Sequence, residues 1–330
     1  MPYHEPPKIC PVCKEKANFK FIQDYQNEWG KWSLFECSKC EVQFWMPFKA
    51  PGYKRYEEYK KYLDKLDIIS RNNCKWMVKK LWNMNQFFKQ PPYKNSKGKK
   101  LLDLGCGTGE FLVVAQNLGY KVYGVDFNKY AVEIARNYLG LKNVFQEDIF
   151  NFLENRKSEF DVITGFEIFE HVDEPKKFLE LIYRALKPNG YLILSFPNRN
   201  RYWGKIDEKI EDWDFPPLHL TRWNLKTAVR FIENNSFEVI IKKKQIPMNY
   251  FLGKMRKNIE ALIKIFRREK RNNFNNPITQ IRKDIGIQKF KITRFFIVSI
   301  AKCIFFIPAL LLFYFFKFEG VGLYILARKK

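Results

Sequence analysis

The stretch from Leu101 to Leu112, which reads LLDLGCGTGEFL, constrains the fold of this chain more than any other. A short apolar run predicts a buried strand, alternate glycines predict a turn, and an apolar-periodic helix follows. Because glycine lacks a Cβ, Gly105, Gly107 and Gly109 permit positive φ and a close approach of a ligand to the helix N-terminus. The spacing is not the dinucleotide-binding G-x-G-x-x-G, and no Lys-Ser/Thr pair follows to hold a phosphate. The turn therefore suits a nucleoside without a pyrophosphate.

The sequence Asp103–Gly109, DLGCGTG, resembles the first motif of the class I S-adenosylmethionine-dependent methyltransferases, and the resemblance extends from about Lys99 to Lys244. It implies an α/β fold with a Rossmann-like, seven-stranded sheet whose last strand is antiparallel. Residues Gly320–Arg328, GVGLYILAR, look like that last strand. The resemblance also implies methyl transfer with S-adenosyl-L-methionine as the cofactor.

Two acidic residues follow later predicted strands. Asp126 ends the strand KVYGV, where a carboxylate can accept both hydroxyls of a ribose. Its alternative role is to cap the helix that begins near Asn128. Asp148 follows the third strand and resembles the family residue that accepts from the adenine amino group, with a helix cap as the rival interpretation.

The fourth predicted strand, Phe160–Phe166, should end beside the glycine turn, where open α/β sheets bind ligands. Phe166 and Glu167 are therefore expected to border the methionine part of the cofactor. The complete set of cofactor-binding residues expected from the resemblance is Asp103, Gly105, Cys106, Gly107, Thr108, Gly109, Asp126, Phe127, Asp148, Ile149, Phe166 and Glu167.

Two histidines are the candidate catalytic residues, because an imidazole can take a proton from a hydroxyl nucleophile. His171 lies in EIFEHVDEP, which with LKPNGYLILSFPNRN looks like quinone-type and sugar-type O-methyltransferases. His219 lies in PPLHLTRW, which resembles a PPHHLTRW loop of zinc-knuckle relatives, with Leu218 in place of the first histidine. A histidine that only hydrogen-bonds within its turn or loop is the alternative at either position.

The segment around His219 contains two prolines and two tryptophans and predicts a rigid aromatic loop, neither helix nor strand. Trp213 and Trp223 are expected to stack on a sugar or aromatic acceptor. Arg199 predicts a polar, ligand-facing loop after the fifth strand. A loop that only covers the edge of the sheet is the alternative.

Four cysteines near the N-terminus form two C-x-x-C pairs separated by 23 residues, Cys10/Cys13 and Cys37/Cys40. Each knuckle can direct two thiolates to one point, so the four sulfurs can close a tetrahedral Zn²⁺ site. No open coordination position is implied, which indicates a structural zinc whose binding supplies folding free energy. A redox pair and cysteines without metal are the alternatives. The remaining cysteines are expected to be ordinary packed thiols.

The sequence predicts four regions: a zinc ribbon (1–50), a helical cap with a linker (51–95), the cofactor-binding methyltransferase domain (96–245 with 319–330), and a basic, amphipathic and hydrophobic helical insertion (246–318). The cap has a plain packing face as its alternative. Residues 1–20 contain no apolar signal segment, which makes the cytosol the expected location.

The net charge of +24 predicts attraction to an anionic surface. Residues 242–302 alone hold 17 basic and 3 acidic residues. Phe295–Phe316 has Lys302 as its one charge and is long enough to span a bilayer. If the last strand rejoins the sheet, this segment instead inserts into the inner face of the membrane or packs on protein.

These patterns favour an enzyme that O-methylates a small-molecule, glycan or lipid-linked acceptor near an anionic membrane surface. The alternatives are an RNA or DNA methyltransferase, suggested by zinc knuckles and positive charge, and a non-catalytic zinc-ribbon scaffold. Nucleic acid is the less expected partner, because the fourth strand does not end in the Asn/Asp-Pro-Pro-Tyr/Phe motif of base N-methylation.

Overall fold

The computed structural model of the chain describes residues 2–27, 29–49, 96–200, 215–245 and 322–330. The expected helical cap (51–95), Trp213 and the expected insertion (246–318), including Phe295–Phe316, lie outside these residues. Among the helices that are described, none combines the length and the apolar character needed to cross a bilayer.

The described part of the chain contains eleven strands and five α-helices. The strands are β1 (Phe19–Asn27), β2 (Gly30–Cys37), β3 (Gln43–Met46), β4 (Lys100–Leu104), β5 (Lys121–Asp126), β6 (Val144–Gln146), β7 (Phe160–Phe166), β8 (Leu186–Pro197), β9 (Thr221–Arg222), β10 (Phe237–Gln245) and β11 (Gly322–Lys329). The helices are α1 (Glu110–Asn117), α2 (Lys129–Asn137), α3 (Ile149–Glu154), α4 (Pro175–Ala185) and α5 (Leu225–Glu233).

The larger sheet has seven strands in the order β10-β11-β8-β7-β4-β5-β6. Strands β4 to β8 are parallel to one another, whereas β11 is antiparallel to both β8 and β10. The expected Rossmann-like sheet with an antiparallel last strand is thus confirmed. Because β4, β5, β6 and β7 are parallel, their carboxyl ends lie at one edge of the sheet, and the residues that follow them share that edge.

Local sequence explains most of these elements. The core of β4 is buried along nearly its whole length, as expected for a parallel strand covered on both faces. Helix α2 begins at Asn128, whose side chain accepts from the backbone N–H groups of Tyr130 and Ala131. Helix α5 begins with a capping box between Asn224 and Thr227.

Strand β8 contains an irregularity shortly after the end of α4. Pairing between β7 and β8 begins at Phe160 and Leu186 and resumes at Val162 and Tyr191. Asn189, between these two points, has a positive φ of 59°. The chain on both sides of this irregularity stays paired with β7.

The smaller sheet has the order β1-β2-β3-β9 and joins the N-terminal residues to a strand that follows β8 in the chain. A zinc ribbon was predicted for residues 1–50, but a strand from the segment around His219 was not. Thr221 and Arg222 pair with Phe44 and Gln43 of β3, so the prediction of a segment that is neither helix nor strand is wrong at these two residues. Strand β3 supplies the backbone hydrogen-bonding groups, and a pairing over such a sequence distance leaves no local signal.

The two sheets share one continuous hydrophobic core. Cys10, Phe35 and Phe44 of the N-terminal region belong to the same buried cluster as Leu104 and Phe196 of the larger sheet. The boundary at residue 50 stays a prediction, because the described residues on its two sides are packed together.

Trp223 belongs to this core as well, and the expectation that it stacks on an acceptor is wrong. Its side chain is 1% exposed, and its ring stacks on Phe169 with centroids 4.9 Å apart. The indole N–H donates to the Thr221 hydroxyl at 2.8 Å, which satisfies its one polar group in the core.

Candidate functional site

The glycine turn between β4 and α1 forms a backbone cradle. Gly105 has φ of +66°, and a Cβ there would lie 2.6 Å from the Cδ1 atom of Ile168, so a side chain is excluded. Gly107 has φ of +53°, and no described atom lies within 4 Å of the position that its Cβ would take. The space above Gly107 is therefore open to a ligand, while the turn below it is closely packed.

Asp126 lies at the end of β5 and is connected to this turn by hydrogen bonds. One carboxylate oxygen accepts from the Gly107 backbone N–H at 2.8 Å, and the other accepts from the Asn128 N–H at 2.8 Å. Burial raises the pKa of Asp126, and these two hydrogen bonds oppose that shift. The residue whose side chain caps α2 is Asn128. Asp126 therefore does not fill the capping role that was its alternative.

Asp103, within β4, is buried below the cradle. Its carboxylate accepts a hydrogen bond from the Thr164 hydroxyl at 2.6 Å. Burial raises the pKa of Asp103 to about 7, and the nearby charge of Asp126 also raises it. Cys106, in the turn itself, is a buried thiol whose pKa is raised by burial, as expected for a packed cysteine.

The residues after β5 and β6 lie at the same edge of the sheet. Asp148 is exposed and caps α3, where one of its carboxylate oxygens accepts from the N–H groups of Phe150 and Asn151. Asp148 is therefore a helix cap, and its contact with adenine stays a prediction. Phe127 and Ile149 are half-buried at this edge.

The end of β7 brings Phe166 and Glu167 beside the cradle. The ring of Phe166 meets Phe111 of α1 edge to face, with centroids 4.8 Å apart. Glu167 has a left-handed φ of 53°, and its carboxylate accepts from the Ser195 hydroxyl of β8 at 3.0 Å. An unusual backbone conformation held by a neighbouring strand is characteristic of functional sites.

His171 and His219 lie next to each other, although 47 residues separate them in the sequence. Their rings meet edge to face with centroids 4.7 Å apart. The Nδ1 atom of His171 is 2.8 Å from the carbonyl oxygen of Leu218, which favours a proton on that nitrogen. Burial lowers the pKa of His171 to about 3, and the neighbouring His219 contributes to the shift.

The carboxylate of Glu170 lies close to both histidines. One of its oxygens is 3.6 Å from Nε2 of His171 and 3.9 Å from Nε2 of His219, and the Glu170 side chain is 2% exposed. One polar atom of each of the three residues lies within 4.8 Å of the others, a spacing that suits a bound cation.

The four N-terminal cysteines meet at one point, as their spacing predicted. All four sulfurs lie within 4.8 Å of one another, and the Cys10 and Cys40 sulfurs are 3.9 Å apart. Tetrahedral zinc with Zn–S bonds of about 2.3 Å places its sulfurs about 3.8 Å apart, so the site fits this ion. Hydrogen bonds among the thiols raise the pKa of Cys40 and lower that of Cys13 to about 2, because neighbouring sulfurs compete for protons.

Sequence reasoning missed several residues that organise these sites. The missed residues are Thr164, which bonds to Asp103, Glu170, which lies near the two histidines, and Ser195, which bonds to Glu167. Each is a single residue in a predicted strand or motif, and no local pattern marks it as a partner. Arg199 was expected in a ligand-facing loop, but its guanidinium binds the N-terminal ribbon through Glu36 at 3.2 Å.

Residues 83–241 match the family model of the methyltransferase domain. A 107-residue stretch is 38% identical to the mitochondrial ubiquinone biosynthesis O-methyltransferase of Schizosaccharomyces pombe, covering 31% of this chain and 39% of that protein. A 108-residue stretch is 36% identical to the ubiquinone biosynthesis O-methyltransferase of Idiomarina loihiensis, covering 31% of this chain and 44% of that protein. The chain therefore spans less than half the length of these relatives.

Among solved structures, an S-adenosylmethionine-dependent methyltransferase from Archaeoglobus fulgidus is 17% identical, with a TM-score of 0.48 over 82% of this chain and 99% of that one. The family match covers the glycine turn and the strands on both sides of it. The observed seven-stranded sheet, with its antiparallel last strand, is the one that the resemblance implied. Residues 83–241 therefore match the methyltransferase domain, and they lie on a sheet of the kind that the resemblance to the class I S-adenosylmethionine-dependent methyltransferases implied.

Proposed function

We propose that this chain is an S-adenosylmethionine-dependent methyltransferase that transfers the methyl group to a hydroxyl of a small-molecule, glycan or lipid-linked acceptor at the inner face of an anionic membrane. The observation that carries the proposal is the connection between Gly107 and Asp126 at the open edge of the sheet. A backbone cradle and a buried carboxylate at one edge are what a nucleoside ligand requires.

The proposed cofactor site places the sugar at Asp126. A carboxylate offers about four acceptor positions, and two are occupied here by backbone N–H groups, which leaves one on each oxygen for the ribose hydroxyls. Bound S-adenosylmethionine supplies a methyl group already activated by its sulfonium. We assign Asp148 and Ile149 to the adenine and Phe166 and Glu167 to the methionine part.

We assign the general base to His219. The pKa of His171 is lowered to about 3, so its imidazole is a weak proton acceptor at neutral pH. His171 also directs Nδ1 to the carbonyl oxygen of Leu218, next to His219, which suits an orienting role. With an activated methyl group, the main task of the chain is to hold the acceptor hydroxyl in line and to remove its proton.

The proposal of a hydroxyl acceptor is supported by relatives that are named ubiquinone biosynthesis O-methyltransferases. The membrane part of the proposal is supported by the sequence alone, through the +14 charge of residues 242–302 and the apolar run that follows. The C-x-x-C pairs are assigned to a structural zinc.

Calorimetric titration with S-adenosylhomocysteine, the demethylated product, tests the cofactor site. We expect Asp126→Ala to weaken binding about 10- to 100-fold, because charge-assisted hydrogen bonds to the ribose are lost. Asp126→Asn, which keeps the size of the side chain, serves as the second variant. Glu133→Gln, at an exposed position of α2, is the matched control and should bind as the parent does. Full affinity in Asp126→Ala, or no binding to the parent, would contradict the proposal.

Transfer of labelled methyl groups into cell extract tests the reaction and its acceptor class. We expect the label in the lipid or glycan fraction, a strong loss in His219→Ala, and residual activity in His171→Ala. Label in the RNA fraction would support the nucleic-acid alternative instead. An unimpaired double variant would rule out both histidines as bases.

Flotation with liposomes tests the membrane assignment. We expect the full chain to float with anionic vesicles at low salt and to be released as salt rises, since screening weakens attraction between exposed charges. Vesicles of neutral lipid are the control. Failure to float with anionic vesicles at low salt would remove the membrane from the proposal.

A further inference from the structure

The segment that carries His219 is held between the N-terminal ribbon and the turn that contains His171. On the ribbon side, the backbone N–H of Trp45 donates to the Leu220 carbonyl oxygen at 3.0 Å, and β9 continues the ribbon sheet. On the other side, the Leu220 N–H donates to the Glu170 carbonyl oxygen at 2.9 Å. One residue, Leu220, thus joins the ribbon to the histidine pair through both of its backbone groups.

The start of this segment is also fixed by the ribbon. The ring of Phe215 stacks on Tyr25 of β1 with centroids 4.4 Å apart, and it lies 6.0 Å from the ring of Trp45. The Asn27 side chain donates to the Pro216 carbonyl oxygen at 3.2 Å. Residues 215–222 are therefore attached to the ribbon at both ends.

Arg199 links the second cysteine knuckle to the end of the same segment. Its backbone N–H donates to the Trp223 carbonyl oxygen at 2.7 Å, and its guanidinium donates to the Glu41 carbonyl oxygen at 2.8 Å. The same guanidinium pairs with Glu36 at 3.2 Å, and the Arg199 side chain is 11% exposed. Because Arg199 is largely buried and bonds both to Trp223 and to the knuckle, it holds the two in fixed positions relative to each other.

The knuckle that Arg199 contacts is the one that supplies two of the four thiols. Glu41 directly follows Cys40, and its N–H closes the turn by donating to the Cys37 carbonyl oxygen at 2.9 Å. Lys226 and Arg230 of α5 pair with the Glu41 carboxylate, but these ion pairs are more exposed and contribute less. A metal bound by Cys37 and Cys40 would hold the carbonyl of Glu41 in place.

We propose that the ribbon is a positioning element of the candidate active site and that Arg199 is the positioning residue that connects the metal-binding knuckle to the His219 segment. The inference rests on the proposed function. It assigns to the zinc ribbon a second role beside local stability, because the ribbon determines where His219 lies but not whether the glycine turn binds the cofactor.

The test uses the full chain, in its zinc-loaded and zinc-depleted forms, with Arg199→Ala and Arg199→Lys. Arg199→Lys keeps the charge, but an ammonium group lacks the planar fork that contacts both Glu36 and Glu41. The matched control is Arg328→Ala, which removes an exposed ion pair with Glu238 between β10 and β11. The chain has three histidines, so nuclear magnetic resonance can assign each imidazole signal by single substitution.

We expect Arg199→Ala to shift the imidazole signals of His171 and His219 and to leave that of His4, which lies on the ribbon beside Lys31, in place. Zinc depletion should shift all three. Affinity for S-adenosylhomocysteine should stay within about twofold, since separate sites rarely couple. Methyl transfer should fall about 10- to 100-fold in kcat through misplacement of the base, with partial rescue in Arg199→Lys.

Cofactor binding separates the two ways in which this can fail. If the parent does not bind S-adenosylhomocysteine, the proposed function fails. If Arg199→Ala and the zinc-depleted chain bind it normally but retain the His171 and His219 signals of the parent, the positioning role is overturned. Loss of cofactor affinity in parallel with kcat would overturn it too, because the ribbon would then be needed to form the glycine turn and would not act on the position of His219 alone.

Discussion

At the scale of single residues, two buried carboxylates at the glycine turn differ in what surrounds them. Asp126 accepts from two backbone N–H groups, which favour its ionised form. Asp103 accepts from one hydroxyl, and burial raises its pKa to about 7. Two N–H donors thus favour the anionic form of Asp126, whereas burial makes the anionic form of Asp103 less favourable than that of an ordinary aspartate.

Asp103 should therefore make the stability of the cofactor-free protein depend on pH. Because its folded pKa of about 7 lies above the ordinary 3.8, the unfolded chain ionises first, and stability falls as pH rises between these values. Asp103→Asn removes the titration and keeps an acceptor for Thr164. We expect the free energy of unfolding of the variant to rise relative to that of the parent as pH increases from about 4 to 7, by up to about 4 kcal/mol. Above pH 7 the difference should stay constant.

Guanidinium unfolding at a series of pH values measures this difference. A constant offset between parent and Asp103→Asn over the whole range would show that Asp103 titrates in the folded protein as it does in the unfolded chain. Asp161→Asn, whose carboxylate pairs with Lys187 near the surface, provides the comparison with a half-exposed carboxylate.

Trp223 allows a second test with a matched residue. Trp223→Ala removes a fully buried ring stacked on Phe169, so we expect a loss of about 3–5 kcal/mol in the free energy of unfolding. Trp29→Ala, at a side chain that is 46% exposed, should change it by less than about 0.5 kcal/mol. Equal effects in denaturant unfolding would refute the assignment of Trp223 to the core.

At the scale of elements, the carboxyl edge of the sheet is built by junctions between strands and helices. The β5–α2 junction uses two adjacent polar residues for two tasks. Asn128 caps α2 with its side chain, and its backbone N–H donates to Asp126. Asn128 thus accepts from the first N–H groups of α2 in place of the Asp126 carboxylate, which leaves acceptor positions on that carboxylate for a ligand.

Asn128→Ala separates these tasks. We expect a loss of about 1 kcal/mol in stability from the missing cap. Affinity for S-adenosylhomocysteine should change by less than about threefold, because alanine keeps the backbone N–H that donates to Asp126. Asn224→Ala, which removes the cap of α5, is the control for a capping loss at another helix. A large loss of affinity in Asn128→Ala alone would mean that the cap itself orients the carboxylate.

At the scale of the whole molecule, the N-terminal ribbon and the larger sheet are one packed body within the described residues. They share a hydrophobic core, and β9 belongs to the ribbon sheet although it follows β8 in the chain. The ribbon therefore cannot be regarded as an independent appendage, and its metal should influence the stability of the entire described part.

Metal analysis provides the corresponding prediction. We expect about one zinc per chain in the parent and close to none in Cys37→Ser, because a site that loses one of four thiolates binds zinc far more weakly. The melting temperature of Cys37→Ser should fall as well. Cys106→Ser, at a buried thiol outside the cluster, should retain the zinc of the parent. Zinc retained in Cys37→Ser would contradict the four-cysteine site.

Much of the fold could be predicted from local patterns. The glycine turn, the strands that flank it and the two C-x-x-C pairs are contiguous signals, because backbone freedom, burial and ligand spacing are each encoded within a few residues. The same signals predicted Asp126 and the cysteine cluster. They failed at β9 and Trp223, where a segment rich in proline and tryptophan has no regular period.

The sequence by itself determined which residues are candidates for a nucleoside site and a metal site, because such candidates are recognised by residue type and short spacing. Only the tertiary structure decided that the rings of His171 and His219 have centroids 4.7 Å apart, that Glu170 is close to both, and that the ribbon holds the segment that carries His219. These contacts join residues distant in the chain, and the burial of a shared core together with backbone pairing across that distance selects them, which no single stretch of sequence contains.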